Sequence, residues 1–165
     1  MSAAAITLEE LLADNESSTR KWQEWLADHP AALDLPCGIY NSGHVRGLLK
    51  HIFAVELRHS QRLLAQEVVS YDAIPVGSLD ELFAVHDRAV ANLRQFLANS
   101  SDAAIHEIIT LQTVSAGTLQ ASRRKLFAHI MLHSIRHWAQ LATALREQGF
   151  PTGWPKDFLF SEALR

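Results

Sequence analysis

His133 and His137 lie four residues apart in a stretch of helical periodicity. Residues at that spacing share one face of an α-helix, so two imidazoles can be aimed at a common point. Neutral imidazole is the commonest metal-binding side chain, and nine histidines in a 165-residue chain make the spacing worth testing. The stripe that carries the pair is Leu126, Ile130, His133, His137, Leu141 and Ala144. Both rings are therefore expected to point into the protein. An unpartnered polar group there costs roughly 1–3 kcal/mol, and a divalent cation would satisfy both nitrogens at once. His51 offers a third ligand, since Leu48, Ile52 and Val55 place it on an apolar face of another helix. Spacing alone leaves a second pairing open, because His129 also stands four residues before His133. A lone HxxxH on a helix is common and often binds nothing; the third inward histidine is what favours a metal. His86 lies on an apolar stripe as well, but a single core histidine is more often a hydrogen-bonded packing residue.

The residues around the histidines exclude several chemistries. A zincin protease needs Glu directly after its first histidine as general base, and here Ser134 follows His133. Di-iron carboxylate bundles need two Glu-x-x-His motifs, and only Glu56-Leu57-Arg58-His59 fits. Structural zinc favours cysteines in a closed shell of four ligands, whereas this chain has one cysteine, Cys37. Three histidines without a fourth partner point to an open position for water or substrate. Imidazole suits zinc, nickel, iron and copper alike.

Four amphipathic segments must position these residues. The first helix is predicted from about Leu8 to Ala27, with Leu8, Leu11, Leu12, Trp22, Trp25 and Leu26 on one face. Asn15 and Ser18 interrupt that face and are candidate pocket residues. The second is predicted from near Gly43, capped by Asn41 or Ser42, to about Gln66. The third has a capping box, Ser78 with Glu81 three residues on. Its stripe is Leu79, Leu82, Phe83, Val90, Leu93 and Phe96 or Leu97, and it ends at Asn99-Ser100-Ser101-Asp102. From about Ile105 to Gln120 the β-branched run IITLQTV, a turn at Ser115-Ala116-Gly117 and then Thr118-Leu119-Gln120 predict two short strands. The fourth helix is predicted from about Ser122 to Gln148, stopped by Gly149 and Pro151. The expected fold is all-α: one domain over residues 1–165, an antiparallel four-helix bundle with a short strand-like insert between its third and fourth helices.

Composition narrows the function classes. A hydrophobic content of 48% can bury a substantial core, which argues against disorder. A net charge of -3 argues against nucleic-acid binding. No apolar run approaches a membrane span, and MSAAAITLEELL lacks the basic and apolar regions of a signal peptide. A cytoplasmic protein is expected.

The segment LFAHIMLHSIRHWAQLATALREQG, Leu126 to Gly149, resembles the DinB-like (DinB/YfiT-like) metal-binding bundles. The matching positions are Leu126, His129, His133, His137, Gln140, Leu145-Arg146 and Gly149. A second matching segment is LLKHIFAVE, Leu48 to Glu56. The resemblance implies His51, His133 and His137 as the ligands of one divalent ion (zinc, nickel or iron), with His129 and Gln140 beside them. It also implies a small-molecule substrate, a low-molecular-weight thiol as co-reactant, thiol S-transfer or hydrolysis as the chemistry, and pairing into a homodimer. A metal-stabilised binding or scaffold protein is the non-catalytic alternative. The sequence departs from the common pattern at Trp138-Ala139-Gln140, where many members have Arg-Gly-Gln, and Glu56 falls five residues after His51, off that histidine's face.

Overall fold

The computed structural model describes residues 5–113 and 117–161. Four long helices dominate it: α1 (Leu8–Asp28), α2 (Val45–Leu63), α3 (Leu79–Asn99) and α5 (Arg123–Glu147), with a short α4 (Asp102–His106) between the last two. α1 packs against α3 and α5, and α2 packs against the same two helices.

Caps fix the helix starts. Ser78 and Glu81 form the expected capping box on α3, and Thr7 with Glu10 forms a second one on α1. The Ser122 hydroxyl accepts from the Lys125 amide at the head of α5. Gly149, at φ 84°, follows the end of α5 in the left-handed conformation that glycine tolerates.

The expected single strand-like insert is corrected to two antiparallel ribbons in different connections. β3 (Ile108–Thr113) pairs with β4 (Gly117–Ser122) where the β-branched run foretold; Ser115 and Ala116 of the expected turn lie outside the described residues. The other ribbon pairs β1 (Pro36–Cys37) with β2 (Gly43–His44) ahead of α2. This pairing withholds Gly43 and His44 from α2, so that helix starts at Val45 rather than near Gly43. Neither Asn41 nor Ser42 caps it; His44 holds the cap position without a side-chain bond. α4 also lies at the edge of a stretch expected to be extended, started by the Ser101 hydroxyl accepting from the Ala104 amide.

The core falls into two apolar clusters. One gathers Trp22, Leu26, Leu48, Phe53, Leu82, Phe83, Trp138 and Leu145 with their neighbours. The other gathers Leu12, Leu63, Leu93, Phe96, Leu126, Phe127 and Ile130. α1 and α5 run from the second cluster to the first, and α2 and α3 run the other way. The neighbours α2 and α3 are thus parallel, a departure from the expected antiparallel arrangement, and residues 64–78 carry the chain back between them. Between the clusters lies a band of buried polar residues: Asn15 and Thr19 on α1, Glu56 and Ser60 on α2, His86 on α3, His133 and Ser134 on α5. Among the described residues no helix is long and apolar enough to cross a membrane.

Candidate metal centre

α2 and α5 pack face to face, and they bring His51, His133 and His137 together. The three rings each offer a nitrogen within 4.8 Å of the others, and all three residues are buried. His51 Nε2 and His133 Nε2 stand 3.0 Å apart. Ring centroids are 4.9 Å apart for His51 and His133, 5.0 Å for His51 and His137, and 4.4 Å for His133 and His137.

Burial and crowding keep these rings neutral. Burial pushes His51 down to about 4, assisted by His137 and Arg136. Burial pushes His133 down to about 2, with His137, His51, His129 and Arg136 adding to the effect. His137 is lowered by burial and by Arg136; Gln140 pulls it back toward the charged form from beside it, without ordinary hydrogen-bond geometry. Neutral imidazole is the form that ligates a metal.

The donor set fits a cation on a further ground. Among the described residues, His133 Nδ1 and both nitrogens of His137 are buried without a hydrogen-bond partner. Buried polar atoms are rarely left so. Three convergent imidazoles, two of them with orphaned nitrogens, could serve as the donor set of a first-row divalent ion.

A loop covers one side of the cluster. The Tyr40 ring stacks on His51 at 3.9 Å between centroids and meets His137 edge-on at 6.4 Å. Tyr40 is nevertheless 63% exposed. Its backbone sits in the left-handed region at φ 53°, ψ 34°, and Asn41 follows at φ 55°. The ribbon of β1 and β2 holds the loop's base, and the Ser42 hydroxyl donates to the Cys37 carbonyl at 2.8 Å. The loop presses on the first turn of α2 so closely that a Cβ at Gly47 would collide with the Ser42 carbonyl. Nothing in the sequence pattern foretold that Tyr40 would reach the histidines, because a loop carries no periodicity.

Beside the triad lies a second buried polar group. Glu56 is completely buried and takes one partner from each of the other three long helices. Asn15 Nδ2 donates to Oε1 at 3.0 Å, the Ser134 hydroxyl donates to the same oxygen at 2.7 Å, and His86 Nδ1 donates to Oε2 at 2.7 Å. Burial alone would raise the Glu56 carboxyl. The charge of His86 and the hydrogen bonds from His86, Ser134 and Asn15 override it and hold the group below its usual range. Burial would lower His86, but the charge and hydrogen bond of Glu56 raise it, aided by Asp87 and Glu16. His86 also borders a cavity of about 260 Å³ between α1 and α3, lined by Thr19, Arg20 and Arg94 among others. Glu56 had a signal in the sequence. It lies four residues after Ile52 and eight after Leu48, on the inward row of α2.

The remaining candidate residues are spread around these two groups. Asn15 and His86 belong to the Glu56 network. Ser18 is half-buried, and Thr19 beside it takes the buried place. His129 is exposed, with its ring 5.8 Å from His133 and 5.6 Å from His59. Gln140 is exposed next to His137. Trp138 turns away from the histidines to stack on Trp22 at 5.1 Å.

A mostly helical protein with three buried, converging histidines on two facing helices is the class that fold and site define. The profile of the DinB family matches residues 1–162, and the chain belongs to that family. No curated protein matches the sequence.

Proposed function

We propose that His51, His133 and His137 hold one divalent metal ion, and that the protein is a metal-dependent enzyme acting on a small molecule at an open position of that ion. The observation that carries this reading is the set of orphaned nitrogens on His133 and His137, converging with His51. The cyclic packing of α1, α3, α2 and α5 supports reading the fold as a four-helix bundle with the site between two of its helices. A bound divalent ion would supply Lewis acidity, lowering a bound water to a pKa of about 7 or holding a thiolate. The chain's own residues would do the rest. The three imidazoles stay neutral and fixed, Tyr40 shields one side of the site from water, and the Glu56 network locks the helices that carry the ligands. Thiol S-transfer is the preferred chemistry and hydrolysis the second, with zinc, nickel or iron as the ion.

The test begins with metal analysis of chain purified without chelator. It should return about one ion per chain, and His51→Ala and His137→Ala should each lose it. A metal-loaded sample should then join a low-molecular-weight thiol to an electrophilic acceptor, and a chelated sample should not. Full metal retention by both variants would refute the site. Silence with thiols and esters alike would refute the enzymatic reading.

A further inference from the structure

The cavity of about 260 Å³ lies between α1 and α3, whereas the histidine triad lies between α2 and α5. It is far larger than the ~30 Å³ that one water occupies in the liquid, and it stops short of the ~300 Å³ at which pockets for drug-sized ligands begin. Its size suits a small molecule. Two helical rows build the wall: Glu16, Thr19 and Arg20 on α1, and His86, Asp87 and Arg94 on α3. Spacings of three, four and eight residues keep each row on one side of its helix.

Thr19 and His86 form the buried part of the wall, at 2% and 5% exposure. Thr19 Oγ1 has no hydrogen-bond partner among the described residues, a rare condition for a buried hydroxyl. His86 commits Nδ1 to Glu56, and its Nε2 bonds nothing among the described residues. Burial lowers His86, but the charge and hydrogen bond of Glu56 outweigh burial, so Nε2 carries a hydrogen that it can donate. The rim holds charges of both signs. Arg94 Nη2 donates to Glu16 Oε1 at 2.6 Å, so those two charges answer each other. Arg20 and Asp87 remain on the exposed rim, one guanidinium and one carboxylate. The charge of His86 is already balanced by Glu56 beneath it. A bare anion in the cavity would therefore face Asp87, and a bare cation would face Arg20.

We infer that this cavity binds a small zwitterion of amino-acid size, its carboxylate taken by Thr19 Oγ1, His86 Nε2 and Arg20 and its ammonium by Asp87. Guanidinium and imidazolium donors form the stronger, charge-assisted hydrogen bonds to a carboxylate, and the ligand would give the Thr19 hydroxyl the partner that it lacks. The site is independent of any metal in the triad.

The test is an NMR titration of the chain as purified, following backbone amides, with L-alanine and L-glutamine as probes. Propanoate and ethylammonium, which are alanine without its ammonium and without its carboxylate, are the controls. At least one amino acid should bind, with its shifts gathered on α1 and α3 around Thr19 and His86, and both controls should bind at least roughly tenfold more weakly. Thr19→Val keeps the shape and removes an unpartnered hydroxyl, so the fold should stand while binding weakens roughly tenfold. Arg20→Gln and Asp87→Asn change exposed residues and should each weaken it roughly threefold. Propanoate binding as tightly as alanine overturns the zwitterion. Shifts gathered instead around His51, His133 and His137 place the ligand at the triad and overturn the cavity. Binding by neither amino acid means that the cavity holds water only, and it overturns the inference, as does unchanged affinity in Thr19→Val.

Discussion

Glu56 and His133 are buried on facing helices, and Ser134 links their surroundings, yet the two are provided for in opposite ways. Both oxygens of Glu56 accept hydrogen bonds, from partners on α1, α3 and α5. His133 and His137 keep three nitrogens with no partner among the described residues. A buried carboxylate with its counter-charge in place is complete inside the chain. A buried cluster of imidazoles with open nitrogens is complete only when something from outside enters. The contrast separates a network that builds the fold from a site that serves a ligand, although both are polar, buried and close together.

Substitution should divide them. Glu56→Leu strands His86, Ser134 and Asn15, and it should cost roughly 3–5 kcal/mol of stability in urea unfolding, as breaking one side of a buried charged pair does. A cost below about 1 kcal/mol would mean that the network is slack and the contrast false.

The second effect is its dependence on pH. Glu56 is held below its usual 4.5, so its contribution is fully present above 4.5 and is lost as pH falls through the lowered value. His86 is held above its usual 6.5, so its contribution is fully present below 6.5 and is lost as pH rises through the raised value. The advantage of the natural chain over Glu56→Gln should therefore be widest between pH 4.5 and 6.5. Unfolding measured across pH 3 to 10 tests this; a difference that stays flat throughout would contradict it.

The third effect has the opposite sign. In chelated protein His137→Leu removes two unpartnered nitrogens, so it should leave stability unchanged or raise it by about 1 kcal/mol. With metal present the same variant should be the less stable of the two. A large loss in metal-free protein would show that His137 is a packing residue and would erase the difference between the two groups.

The smallest effect concerns the covering loop. Tyr40→Gly relieves a left-handed backbone but removes the ring from His51, so its thermal unfolding should stay within about 1 kcal/mol of the natural chain. Metal exchange in that variant should be faster. Unchanged exchange would remove Tyr40 from the site.

The triad was more legible in the sequence than the network was. His133 and His137 declare themselves by four-residue spacing on an apolar stripe, a property of one helix. His51 needed only its flanks Leu48, Ile52 and Val55. Spacing could not choose between His137 and His129, because both lie four residues from His133; the family resemblance made that choice, and packing leaves His129 exposed while His137 is buried. The Glu56 network depends on four helices meeting, and no single-helix pattern contains that. Ser18 and Thr19 differ by one residue, about 100° of helix rotation, and packing decides which faces in. The β1–β2 ribbon was missed for a similar reason. Pro36-Cys37 and Gly43-His44 are too short to show alternation, and only their pairing makes them strands. β3 and β4 were readable because Ile108, Ile109 and Thr110 carry a local preference for extended structure.

The open nitrogens of His133 and His137, converging with His51, are read as the place of an ion. Anomalous diffraction from crystals of metal-loaded protein tests that reading most directly. A single peak is expected, bounded by the His51, His133 and His137 rings, at about 2.0–2.1 Å from one nitrogen of each. A peak shifted to His59 and His129, or no peak among these rings at full metal loading, would contradict it.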